Sequence, residues 1–409
     1  MNKFIKNFVS VGFINAANAA PLITMPYLIH VIGIERFGSL SLATAFVAYF
    51  GIIIDYGFNL SAVREISINR SEPSRINHIC ATVFYVKIIL VVACLLVFLC
   101  IVRALPYMWD MHTLYFLTFI AMLGQTFLPG WFFQGVEQMS AAVYLSAISR
   151  IIPSALTFFF VHSRDDYLWV PGLSAIAGAA TVITAAILLR YKFDIRMTLP
   201  DARSIKQSFR GGWYLFLSQV NISLFSNSNS VILGVVSGPL AVGYFSSAEK
   251  IMRAIAFLGT PLTTVLFPHV ARNIKANPSR MLKKLDGILL IAIALQIIVI
   301  APIFFLADHI INLLYNSDVG ASEILKIIIV VPIFIMVNNI YGVQVMLNTG
   351  FDKQYFGILL IAGVVNIPLC FLLSKFFSGL GTAISLLVIE FLIAFLMGFF
   401  VQKLKRSLD

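Results

Sequence analysis

"SGPLAVGYFSSAEKI", residues 237 to 251, is the stretch on which the reading of this chain turns. Moved back by 205 residues, it falls on "IGIERFGSLSLATAF", residues 32 to 46. Gly33 then meets Gly238, Gly38 meets Gly243, Ser41 meets Ser246 and Ala43 meets Ala248. The offset is half of a 409-residue chain, which points to a duplicated unit. The later copy also raises a chemical question, because Glu249, Lys250 and Arg253 stand within five positions of one another in the middle of an apolar run.

Composition supplies the setting. Of all residues 60% are hydrophobic and 11% charged, against roughly a quarter charged in soluble proteins, and the mean hydropathy is +0.93. Stretches of about 20 apolar residues, long enough to cross a hydrocarbon core as helices, recur along the chain. Twelve are expected, at 8–32, 37–59, 80–102, 112–134, 141–163, 167–190, 212–236, 242–267, 286–308, 324–348, 353–376 and 378–402. The first imitates a secretory leader, but Asn15 and Asn18 interrupt it and its hydrophobicity continues to Gly33, so it is expected to be retained.

Six spans precede the basic loop at 191–211 and six follow it, and an even number per half makes the repeats parallel. The expected architecture is therefore an all-α polytopic membrane protein, with twelve transmembrane helices in two six-helix parallel-repeat bundles around a central cavity. Its lobes are expected at residues 1–200 and 201–409, with the substrate path between them. Placing both termini in the cytoplasm puts twenty of the 29 Lys and Arg residues in cytoplasmic segments, as the positive-inside rule requires. The same distribution accounts for the net charge of +11 by attraction to anionic headgroups, without a nucleic-acid partner.

Little conventional chemistry is written in the chain. Cys80, Cys94, Cys100 and Cys370 have no CxxC spacing and read as buried free thiols, and the six histidines form no ligand pair. No metal site, cofactor site or nucleophile elbow is expected, and no loop exceeds about 22 residues, which is too short for a soluble catalytic domain.

The intramembrane polar residues carry the information. Counted at 100° per residue, Ser246, Lys250, Arg253, Phe257, Thr260 and Thr264 share one side of their helix. Glu249 stands four residues before Arg253, the favourable order for an ion pair, which leaves Lys250 without a helical partner. Gln219, Ser223, Ser226 and Ser230 form a second polar stripe. Asn15 and Asn18 form another, and Asn338, Asn339, Gln344 and Asn348 a fourth. Such faces must meet other helices or water, and interhelical hydrogen bonding is the plain reading of each residue alone.

The charges ask for more. Arg150 and Arg253 lie near the midplane, where a charge costs from roughly 2.5 kcal/mol to several times that. Arg150, Lys250 and Arg253 are the candidate anion-binding residues, and Lys87, two turns from the interface, is a further candidate that could instead snorkel out. Asp55, Glu249 and Glu390 are the candidate counter-ion or coupling groups, with Asp55 expected to pair with Arg64 or Arg75. Once Glu249 is assigned to Arg253, the pathway is net positive and the cargo anionic. Pro21, Pro26, Pro261 and Pro332 are expected to bend their helices.

Three stretches, "PYLIHVIGIERFGSLSLATAFVAYFGIIIDYGFNLSAVREI" (26–66), "GWFFQGVEQMS" (130–140) and "VGYFSSAEKIMRAIAFLGTPLTTVLFPHVAR" (242–272), resemble the Wzx-type O-antigen flippases, polysaccharide exporters of the multidrug/oligosaccharidyl-lipid/polysaccharide superfamily. The resemblance implies a bacterial inner-membrane protein that moves an undecaprenyl-pyrophosphate-linked oligosaccharide from the cytoplasmic to the periplasmic leaflet by alternating access with a cationic cavity. It implies membrane lipids as surroundings, an O-antigen polymerase and a chain-length regulator as candidate protein partners, and no cofactor. Asn15, Asn18, Gln219, Ser223, Asn338 and Gln344 are the candidate sugar contacts. Trp131, Phe132 and Phe133 of "GWFFQG" are expected to anchor at the membrane interface. Two alternatives stand beside this reading: a cation or drug antiporter of the same superfamily, which would present unpaired carboxylates, and a polymerase or ligase, which would carry a large catalytic loop.

Overall fold

In the computed structural model the chain is helical, and no strand occurs among the described residues, which are 2–196, 198–274, 277–315 and 319–406. The side chains of 2–19 lie outside the description, and Asn15 and Asn18 with them. In lipid each backbone N–H and C=O must be bonded within its own segment, and helices satisfy that requirement.

The helices are α1 (Asn2–Asp55), α2 (Phe58–Ile68), α3 (Pro73–Ala104), α4 (Pro106–Asp110), α5 (His112–Thr126), α6 (Gly130–Gly135), α7 (Met139–Phe160) and α8 (Trp169–Lys192). They continue with α9 (Ala202–Ser226), α10 (Ser228–Phe257), α11 (Thr260–Asn273), α12 (Pro278–Phe305), α13 (Ala307–Tyr315), α14 (Val319–Ile328), α15 (Val331–Val337) and α16 (Asp352–Arg406). A π-helical segment, Asn338–Met346, follows α15 without a break.

Among the described residues nine helical stretches are long and apolar enough to cross a membrane. Twelve crossings are compatible with them, because two stretches are double. Continuous α1 turns at Gly33 (φ 82°, ψ 160°), and α16, 55 residues long, turns at Ser378 (φ 51°, ψ −130°). The remaining crossing is α9, too rich in Arg, Gln and Ser to count as apolar by composition.

The duplication is visible in backbone geometry. Gly238 bends α10 at φ 80° and ψ 178°, nearly the angles of Gly33, in the region that an L side chain avoids. Further along, the first copy breaks at Tyr56 and Gly57 (φ 44° and 77°), and the second breaks between Phe257 and Thr260. Proline plays a smaller part than expected. Pro21 and Pro26 lie in the helical part of α1 before its turn at Gly33, whereas Pro261 and Pro332 stand in the first turns of α11 and α15 and so begin new segments rather than kink old ones.

The chain divides into two compact units, one of residues 1–33 and 43–223 and the other of residues 34–42 and 224–409. The core of the first gathers Phe58, Ile66, Val83, Trp131, Phe132 and Phe133. The three aromatics of "GWFFQG" are 6%, 1% and 0% exposed, which corrects the expectation that they anchor at the interface. They fill the space between α2, α3 and α8, and the Gly135 carbonyl next to them accepts from Arg70 Nε at 2.9 Å. Cys80, Cys94 and Cys370 are buried free thiols, while Cys100 is exposed.

In the second unit Ile340, Val345, Met346, Ala362 and Val401 form the fully buried centre. Segment 34–42 is held here by a backbone crossing. A Cβ on Gly38 would stand 1.9 Å from the Pro239 carbonyl oxygen, and one on Gly243 would stand 2.2 Å from that of Ile34. Ile34 and Pro239 are related by the same 205-residue offset as Gly38 and Gly243. The crossing is therefore two-fold symmetric, and its two glycines permit the approach.

Candidate functional site

The charged stretch from Glu249 to Arg253 lies on α10, C-terminal to the bend at Gly238. Arg253 donates from Nε and from an Nη to the same Glu249 oxygen, Oε1, at 3.0 and 2.7 Å, so the i, i+4 pair forms as expected. Glu249 is mostly covered (13% exposed), and the Arg253 side chain is about half exposed (49%).

Lys250 is half-buried and makes no ion pair among the described residues. Its Nζ stands 4.5 Å from the centroid of the Phe37 ring, over the face where the π quadrupole is negative. The sequence reading missed Phe37. Helical phase cannot find a partner on another helix, and the one available signal was the internal repeat, which aligns Phe37 with Val242, one residue before Gly243.

Glu390 lies on α16 and is 8% exposed. Its Oε2 accepts from Asn338 Nδ2 at 2.8 Å, and its charge is felt by Arg253. Asn338 opens the π-helical segment, where the widened turn displaces side chains from their ordinary positions. Gln344, near the end of the segment, donates to the Thr263 carbonyl at 2.8 Å. The Asn338 Oδ1 and Gln344 Oε1 atoms are buried and accept no hydrogen bond among the described residues. The geometry thus brings Glu249, Lys250, Arg253, Asn338 and Glu390 into one polar region of the second unit.

Other candidates fall elsewhere. Lys87 is 2% exposed and donates to Asp55 Oδ1 at 2.7 Å and to the Thr126 carbonyl at 2.5 Å. Lys87 therefore neither snorkels nor offers its charge to an anion, and the partner of Asp55 is Lys87 rather than Arg64 or Arg75. Arg150 is half-buried on α7 in the first unit. On α9, Gln219 is exposed and Ser223 is 3% exposed.

A bundle of transmembrane helices with paired repeats and buried ionisable groups is a fold that solved structures share. An inward-facing multidrug resistance MATE transporter of the MOP superfamily superimposes with a TM-score of 0.73, at 15% identity over 95% of each chain. The lipid II flippase MurJ in an inward closed conformation gives 0.69, at 12% identity over 97% of this chain and 87% of its own. The "Polysaccharide biosynthesis protein" family matches residues 4–274. A relative from Escherichia coli K12, named "Putative O-antigen transporter", is 31% identical over 98% of this chain and 97% of its own. A protein of the same name from Shigella dysenteriae is 26% identical over 96% and 98%. The chain belongs to this polysaccharide biosynthesis family and is an integral membrane transporter of the O-antigen type.

Proposed function

We propose that the protein is a flippase that carries an undecaprenyl-pyrophosphate-linked O-antigen repeat unit from the cytoplasmic to the periplasmic leaflet of the bacterial inner membrane. Both termini are cytoplasmic in this reading, which places most Lys and Arg residues on that side. The lobes that alternate are residues 1–200 and 201–409.

The observation that carries the proposal is Lys250, a cation deep in a membrane helix that rests on an aromatic face and makes no ion pair among the described residues, one turn from the half-exposed Arg253. A charge in that position is costly unless something of opposite sign uses it. A pyrophosphate offers several acceptor oxygens to a guanidinium fork and an ammonium at once. Arg150, half-buried on α7, is the candidate anion ligand of the first unit. The unbonded amide oxygens of Asn338 and Gln344 accept from sugar hydroxyls, with Gln219 and Ser223 as further sugar contacts. The isoprenoid tail stays in lipid.

In this reading Glu249 holds Arg253 between cargoes, and Glu390, hydrogen-bonded to Asn338, exchanges a proton or cation with the site. No covalent step is needed. With the cell interior negative, outward movement of two uncompensated negative charges releases about 4 to 5 kcal/mol per 100 mV. The O-antigen polymerase and a chain-length regulator are the protein partners that would receive the product.

The test is export in a strain lacking its own flippase, complemented with Arg253→Ala, Lys250→Gln or Arg150→Ala at matched expression. Loss of one charged hydrogen-bond donor predicts a fall in surface O-antigen of about 10- to 100-fold, with lipid-linked intermediate accumulating inside. Wild-type export by all three variants would remove the cationic site from the mechanism.

A further inference from the structure

Phe37 occupies a position that neither its size nor its burial explains. It is 2% exposed and immediately precedes Gly38, one of the two glycines of the backbone crossing. Its ring also carries the Lys250 ammonium at 4.5 Å. Lys250 lies seven residues beyond Gly243, the other glycine of the crossing, and so two turns along the same face of α10. The residue next in the chain to a crossing glycine is thus also the one whose ring holds the cation.

The neighbouring carboxylate is not available to that cation in full, because Arg253 takes Glu249 Oε1 through two N–H donors. A cation on an aromatic face is held more weakly than one in charge-assisted bonds to an anion. An arriving pyrophosphate therefore draws the ammonium away from the ring. The crossing beside it relies on backbone approach, with no side chain of Gly38 or Gly243 to interlock.

We infer that Phe37 is a positioning residue that couples anion capture to opening: it seats Lys250 while the protein is unloaded, and when an isoprenoid pyrophosphate takes the ammonium, the Gly38–Gly243 crossing loosens. The inference rests on the cargo reading for its anion. The coupling itself is measurable without transport.

The experiment uses the purified full-length protein in detergent, carrying Ser41→Cys as reporter and Cys100→Ser to remove the exposed native thiol. Ser41 lies one turn from Phe37 on the same face. The readout is the rate of maleimide labelling at position 41, with geranyl pyrophosphate as the probe and geraniol as the uncharged control. In the reference protein the pyrophosphate raises the rate and geraniol does not. Phe37→Leu removes the quadrupole and labels about three- to fivefold faster without probe, the factor that corresponds to one lost cation–π contact, and responds little to the probe. Phe37→Tyr keeps the quadrupole and behaves as the reference.

Lys250→Gln, which leaves Phe37 in place, also labels fast and ignores the probe, so the test survives a Phe37→Leu variant that fails to fold. Equal rates for the Leu and Tyr variants, whether slow or fast, would reduce Phe37 to packing and overturn the inference, as would an identical response to geraniol. If labelling follows this pattern while Lys250→Gln exports normally, the cargo reading fails and the coupling stands. If Lys250→Gln abolishes export but labelling never answers the probe, the reverse holds.

Discussion

Asp55 and Lys87 allow a sharp test, because the two halves of their ion pair stand in unequal surroundings. The Lys87 side chain is 3% exposed and the Asp55 side chain 32%, with 2.7 Å between Nζ and Oδ1. Replacing Asp55 by Ala leaves an ammonium in an apolar setting lined by Cys80, Val83, Phe84 and Trp131, with the Thr126 carbonyl as its remaining partner. Breaking a buried pair from one side costs about 3 to 5 kcal/mol, and the partial exposure of Asp55 places this case near the lower bound, about 3 kcal/mol. Lys87→Met is different: the methionine keeps the apolar stem, and the freed Asp55 carboxylate can hydrate, so the cost is about 1 kcal/mol. The double variant leaves no orphaned charge and should also lie about 1 kcal/mol below the wild type, giving a coupling of about 3 kcal/mol. The measurement is the unfolding midpoint of the detergent-solubilised protein, followed by helical circular dichroism against added sodium dodecyl sulfate. The expected order is wild type, then Lys87→Met together with the double variant, then Asp55→Ala well below. A midpoint for Asp55→Ala equal to or above that of Lys87→Met would refute the reasoning, as would a double variant no better than Asp55→Ala.

Two further outcomes follow from other parts of the chain. Gly38→Ala and Gly243→Ala each push a methyl group into a carbonyl oxygen, which costs about 1 to 3 kcal/mol if the helices stay in place; the two should lower the thermal midpoint by similar amounts, whereas Gly130→Ala, which meets nothing within 4 Å, should not. Asp201 begins α9 by accepting from the Ser204 backbone N–H at 3.3 Å, and hydrogen bonding to Ser204 holds its carboxyl below the usual carboxylate range. A depressed folded value means that the contribution is present above pH about 4 and is lost as pH falls through the folded value. Amide exchange in the first turn of α9 should therefore accelerate on acidification below pH 4, and Asp201→Ala should remove that dependence.

What could be read from the sequence follows from how far a physical signal travels along the chain. Span positions depend on local apolar content, so the helices fall where the composition places them. The Glu249–Arg253 pair depends on i, i+4 spacing within one helix and forms at 2.7 Å. Partnerships across helices leave no such trace. Nearness in sequence matches Asp55 to Arg64 or Arg75, yet Lys87 reaches it across 32 residues. Trp131 and its neighbours read as an interfacial belt because that is where aromatics collect. Their burial becomes visible only once α2, α3 and α8 surround them. Phe37 under Lys250, and Asn338 on Glu390, were hidden for the same reason.

The internal repeat is the exception, a long-range signal that a single sequence did carry, and its physics explains why so few identities sufficed. Of the four matched pairs, two are glycines with a geometric task. Gly33 and Gly238 adopt backbone angles closed to side chains. Gly38 and Gly243 face carbonyl oxygens at distances that no Cβ tolerates. Most other positions in the two copies face lipid or packed hydrocarbon, where any apolar residue of similar volume serves and the sequences are free to drift apart. Identity between the halves therefore survives where the backbone itself makes the contact. That is also where the two copies differ in charge: Lys250 aligns with Ala45, so this cation has no counterpart in the first copy. A symmetric crossing loaded asymmetrically is the arrangement needed for an anion bound on one helix to bias the contact between two.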